Sequence, residues 1–170
     1  MTENLHTLSV LVENKPGVLT RIAGLFARRD FNIKSLTVGE TERADISRMT
    51  IIVNADLGPL EQVTKHLNKL VNVLKVVELP EMDLVERRLL LLKVRADDQT
   101  RTPVLQLVEM FRAHIVHAGH DQVIVESVGS RAKLEALLEA LEPYGVKEIV
   151  QSGAVAISRG SRSLTDQFKG

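Results

Sequence analysis

The chain has 170 residues, room for one ordinary domain or two small ones, and 44 % of them are hydrophobic against only 3 % aromatic, so its core must be aliphatic. Lys plus Arg and Asp plus Glu are both 22 and cysteine is absent; this removes a global field for nucleic acid or an anionic membrane, and excludes disulfides, thiolate metal sites and a cysteine nucleophile. The opening six residues have no basic region ahead of an apolar run, and no segment approaches the roughly 20 apolar residues of a membrane helix, so a cytoplasmic protein is expected.

Residues 5–13 (LHTLSVLVE) alternate, with Leu8, Val10 and Val12 on one face and Thr7, Ser9 and Glu13 on the other, as a half-buried strand does. Pro16 fits the first turn of a helix. Val18, Leu19, Ile22, Leu25 and Phe26 then recur at helical spacing, with Arg28 and Arg29 where a helix C-terminus favours cations. Residues 31–39 and 48–55 read as strands joined by the polar ETERADIS. Gly58-Pro59 opens a second helix with Leu60, Val63, Leu67 and Leu70 on one stripe, and residues 71–79 close as a fourth strand. The order is β-α-β-β-α-β.

After Pro80-Glu81-Met82-Asp83 the pattern repeats: a strand over 87–96, a helix from Pro103, a strand pair across Gly119, a helix capped by Ser130, and a final strand after Gly145. The expected fold is α+β, with two ferredoxin-like βαββαβ domains in tandem over 4–79 and 84–158. Each is an antiparallel sheet with its helices on one face, and a flexible tail is expected over 159–170. The run Leu89-Leu90-Leu91-Leu92 is apolar on both faces, whereas a sheet covered on one side shows one polar face. Its second face meets the other half, another copy or a partner, unless the run is a chance feature of a loose domain junction.

The first strand enters the first helix through Asn14-Lys15-Pro16-Gly17. A helix N-terminus offers unpaired N–H groups to an anion; Lys15 adds a cation, Gly17 permits close approach to the backbone, and Asn14 can both accept and donate. Asn32, past the end of the same helix, could face a neighbouring copy. A free amino acid answers to these groups; equally, Asn14 merely caps the helix. The corresponding connection in the second half carries Asp97 and Asp98, whose carboxylates would fill or repel an anion site.

The stretches SVLVENKPGVLTRIAGLFARRDFNIKSLTVG, SRMTI and LNKLVNVLKVVEL, with VERRLLLLKV, MFRAHIV and SGAVAISRG further on, closely resemble the regulatory small subunits of acetolactate synthase (acetohydroxyacid synthase). The resemblance spans nearly the whole chain. It implies an N-terminal ACT domain, a C-terminal ferredoxin-like domain, and homodimers that bind valine at ACT–ACT interfaces. It also implies a partner: a large catalytic subunit holding thiamine diphosphate, FAD and magnesium, with no cofactor on this chain. Carried over by position, the effector site is Asn14 and Gly17 of the turn and Asn32, with Lys15, Pro16 and Val18 lining it and Leu36, Thr37 and Val38 contributed by the partner chain. The histidine-rich VHAGHDQ departs from the family and inherits no role.

Other classes are weaker. His114, His117 and His120 tempt a metal reading, but on a regular strand His114 and His117 point to opposite faces, and a structural zinc site wants four ligands. RNA-binding modules of this topology stack bases on strand aromatics, which these strands lack. Acylphosphatase-like enzymes need an arginine in the first loop, where Lys15 stands. No catalytic set stands out, so the chain is expected to be a non-catalytic regulator; the alternative is a stand-alone amino-acid-binding module serving another enzyme or a transporter.

Overall fold

The computed structural model describes residues 3–167, and the chain divides into two units: residues 1–85 with 154–170, and residues 86–153. In the first unit β1 (Leu5–Glu13), α1 (Val18–Arg28), β2 (Asn32–Glu40), β3 (Ile46–Asn54), α2 (Leu57–Lys69) and β4 (Val73–Leu79) follow in the expected βαββαβ order. The strands form an antiparallel sheet in the order β2-β3-β1-β4. Leu8, Val10 and Val12 of β1 and Met49, Ile51 and Val53 of β3 meet Val18, Ile22, Leu25 and Phe26 of α1 and Leu60, Val63 and Leu67 of α2 in one core. Phe26 and Phe31 meet edge to face, ring centres 6.0 Å apart, a favoured aromatic geometry. Leu19, grouped by spacing with this stripe, is instead 45 % exposed, because it sits one step round the helix from Val18.

The other face of this sheet is not the polar, solvated surface that alternation predicts. Register places Ser9 opposite Thr50, and Thr50 opposite Thr37; Ser9, Leu11, Thr50 and Ile52 are all buried. Part of the cover is a returning segment the sequence reading assigned to the second domain. There the Ala154 N–H donates to Ser35 Oγ (2.7 Å, buried) and Arg48 Nη2 donates to the Ala156 carbonyl (2.9 Å). The domain expected over 84–158 therefore loses its last segment to the first unit. That segment is β9 (Val155–Ser158), a strand the reading missed. Beyond it the Arg159 N–H donates to the Asp83 carbonyl (2.7 Å), and the short α5 (Leu164–Gln167) brings the Thr165 hydroxyl onto Glu42. Residues 168–170 of the expected tail lie outside the described residues.

The second unit is built from β5 (Leu84–Arg95, from Glu86 on), α3 (Arg101–Met110), β6 (His114–Ala118), β7 (Gln122–Gly129), α4 (Arg131–Leu141) and β8 (Val146–Gln151), with sheet order β6-β7-β5-β8. Leu90, Leu92, Val94, Val123 and Val125 pack against Val104 and Val108 of α3 and Leu134, Leu137 and Leu141 of α4. Ser130 caps α4 as expected, accepting from the Lys133 N–H. The doubly apolar strand resolves by face: Leu90 and Leu92 are fully buried, while Leu89 and Leu91 are 40 % and 36 % exposed. Leu89 stands opposite Val128, and Leu91 opposite Val150.

The histidine geometry also differs from expectation. His114 stands opposite Glu126 and His117 opposite Ile124, with the register shifting between them. The extra residue of this bulge puts both histidines on one face of the sheet rather than on opposite faces.

Candidate effector site

The turn after β1 is held by the β2–β3 hairpin rather than by its own helix. The Asn14 N–H donates to the Asp45 carbonyl (2.9 Å), and Asn14 Nδ2 donates to the Ala44 carbonyl (3.0 Å) and to Glu40 Oε1 (3.3 Å). No side chain caps α1, so the capping alternative for Asn14 does not describe this turn, and no hydrogen bond occupies Asn14 Oδ1 among the described residues. Gly17, at φ 86°, is the N-cap residue, a left-handed conformation that glycine adopts without strain. A β-carbon added there would meet nothing within 4 Å. The first helical bond runs from the Arg21 N–H to the Gly17 carbonyl (3.1 Å), so the N–H groups of Val18, Leu19 and Thr20 have no helical acceptor. An open, uncapped helix start beside an exposed glycine can receive a carboxylate.

Lys15 is less available than the sequence suggests. Its Nζ lies 2.7 Å from Glu13 Oε2. This contact, and then the Asn72 amide, hold the Glu13 carboxyl below its usual range. Pro16 is exposed and Val18 is buried under the turn. The remaining predicted residues lie on β2, an edge strand of the sheet. Asn32 is its exposed first residue, Leu36 packs on the core, Val38 is 45 % exposed, and the buried Thr37 Oγ1 has no hydrogen-bond partner.

Within one chain Asn32 and the turn do not meet. Asn14 is bonded to Glu40 at the far end of β2, and a nine-residue strand spans about 26 Å. The turn, Gly17 and Val18 come together; Asn32 stands apart. Sequence reasoning also missed Glu40, whose carboxylate accepts from Asn14, and the closing hairpin loop; the available signal was the polarity of ETERADIS.

The second half's connection is built to the opposite end. Asp97 Oδ1 accepts from the Gln99 N–H, the Thr100 N–H and the Thr100 hydroxyl, each at 3.0 Å, and Oδ2 lies 3.0 Å from Arg95 Nη2. Thr100, foremost among these partners, holds the Asp97 carboxyl below its ordinary range. The chain's own carboxylate thus occupies the donors that the first turn leaves open. His114, His117 and His120 are not gathered into a centre: no group of three His, Asp or Glu side chains able to hold a metal ion occurs among the described residues. No helix among them is long and apolar enough to cross a membrane.

Residues 8–75 match the AHAS small subunit-like ACT domain family, and residues 87–160 match the family described as the small subunit of acetolactate synthase. The chain is 56 % identical to the acetolactate synthase small subunit of Mycolicibacterium smegmatis over 159 residues, 94 % of each chain. The chain belongs to the acetolactate synthase small-subunit family. The Mycobacterium bovis small subunit is 55 % identical, covering 96 % of this chain and 98 % of that one. The crystal structure of the small subunit from Thermotoga maritima superposes with a TM-score of 0.83 at 42 % identity, covering 93 % of this chain and 99 % of that chain. The tandem ferredoxin-like architecture is therefore that of a regulatory, ACT-containing small subunit.

Proposed function

We propose that this chain is a non-catalytic, cytoplasmic regulator that activates the thiamine-diphosphate-dependent catalytic subunit of acetolactate synthase and makes it sensitive to valine. The observation that carries the effector reading is the uncapped start of α1, with its Gly17 approach and an Asn14 whose Oδ1 is left open. Valine's carboxylate sits on the N–H groups of Val18 to Thr20, and its ammonium on Asn14 Oδ1 and the neighbouring Glu40. Thiamine diphosphate, FAD and magnesium stay on the other polypeptide.

A homodimer completes the site. β2 is an open edge, and such edges pair readily with a second strand. An antiparallel pairing of two β2 strands centred on Leu36 sets Asn32 of one chain opposite Glu40 of the other. That brings the partner's copy of this asparagine to the turn that a single chain holds far from it. Leu36, Thr37 and Val38 then line the shared pocket for the isopropyl group. Because the ligand touches both chains, the dimer interface is the element whose equilibrium it biases, with a coupling of about 1–3 kcal/mol typical of such systems.

Reconstitution with a catalytic subunit tests this directly. Addition of the chain is expected to raise acetolactate formation, and valine to reverse that gain. A chain that neither activates nor confers valine sensitivity overturns the reading in favour of a module serving another enzyme.

A further inference from the structure

A second polar concavity lies on the first unit, away from the effector turn. The end of α1 and the face of α2 from Pro59 to His66 border an open concavity of about 610 Å³, within the range of small-ligand pockets. Its floor is Leu25, Phe31 and Pro59, and its wall is Arg28, Arg29, Gln62 and His66. Among the described residues no carboxylate lines it.

The hydrogen bonding of the wall leaves its charge uncompensated. Arg29 Nη1 donates to Gln62 Oε1 (3.4 Å), and Arg29 Nη2 lies 2.5 Å from His66 Nε2. A guanidinium can only donate, so Nε2 is the acceptor and the imidazole is neutral, with its proton on Nδ1. Both partners of Arg29 are thus uncharged, and Arg28 has no hydrogen-bond or ion-pair partner among the described residues. Burial, then the Arg29 and Lys69 cations, push His66 below its ordinary value. The helix macrodipole accounts for arginines at the end of α1. It does not account for their convergence with a histidine of α2 over an apolar floor, in a chain whose acidic and basic residues balance.

An oxyanion between the two arginines supplies what is missing: charge compensation, a match to the planar guanidinium donors, and a reason for His66 to take up a proton and donate as well. We propose that this cavity binds a small oxyanion, a carboxylate or phosphate, carried on a compact apolar body. Asn14 and Gly17 take no part in it, so the proposal stands or falls separately from the valine site.

The five histidines give a direct test by NMR of the intact chain, with the His66 resonance identified through His66→Gln. Inorganic phosphate and isobutyrate are titrated separately, with sodium chloride at matched ionic strength as the control. Saturable displacement of the His66 titration midpoint to higher pH by either probe, without equal movement of the other four histidines, is expected, and the effective probe identifies the head group. Arg29→Gln is expected to weaken that probe's apparent affinity about tenfold, the scale of one charge-assisted hydrogen bond. Arg28→Gln provides the same comparison without disturbing the His66 contact. If neither probe moves His66 more than matched chloride does, or if both variants respond like the parent chain, the proposal is overturned.

Discussion

Gly17 concentrates the argument at the residue scale. Its positive φ and empty surroundings mean that Gly17→Asp meets no steric block, and its backbone cost is roughly 1–2 kcal/mol. The variant should remain folded while its carboxylate takes the place of the ligand's. A reconstituted enzyme carrying it is expected to be activated but not inhibited by valine, and Asn14→Ala should behave alike; retained inhibition in either would sink the site assignment. Asp97 offers the complementary case. Its folded-state pKa lies below the ordinary 3.8, so its stabilising contribution is complete above that value and is lost as pH falls through the lower folded-state value. Asp97→Asn should therefore lower the denaturant midpoint at neutral pH, and the gap to the parent chain should narrow in acid. A gap independent of pH would show that the carboxylate charge contributes nothing.

At the scale of the element, β5 separates burial from mere hydrophobicity. Leu92 is fully buried in the second core, while Leu91, its neighbour on the opposite face, is 36 % exposed. Leu92→Ala is expected to cost about 2–5 kcal/mol, and Leu91→Ala in the isolated chain well under half of that. Equal losses in thermal or denaturant unfolding would mean the faces are misassigned. The repeating four-leucine run was legible because period-2 alternation and its violation are both visible in sequence. What was not legible depended on partners distant in the chain. Ser9 looks like a solvent-facing residue until the returning Ala154–Ala156 backbone is seen to meet Ser35 and Arg48 on the same face of the sheet. The side on which His117 projects turned on a single bulged residue, and Leu19 differs from its buried neighbours by one helical step. Local pattern fixes elements; a bulge or a returning strand is set by pairing, which has no local signature.

For the whole molecule, the turn is readable as a binding candidate from Asn14-Lys15-Pro16-Gly17 alone, whereas its completion in a homodimer is named only with the family resemblance. Asn32 lies at the opposite end of β2 from the turn, and in the proposed function a homodimer unites them. Val38→Glu, at an exposed edge position, should therefore shift sedimentation from dimer towards monomer and weaken valine's effect in the same step. A monomeric variant with an undiminished valine response would show that one chain suffices. The most direct measurement is a calorimetric titration of the isolated chain with valine, run beside the Gly17→Asp variant. The account predicts saturable binding by the parent chain and none by the variant; silence from the parent, or an equal isotherm from both, would contradict it.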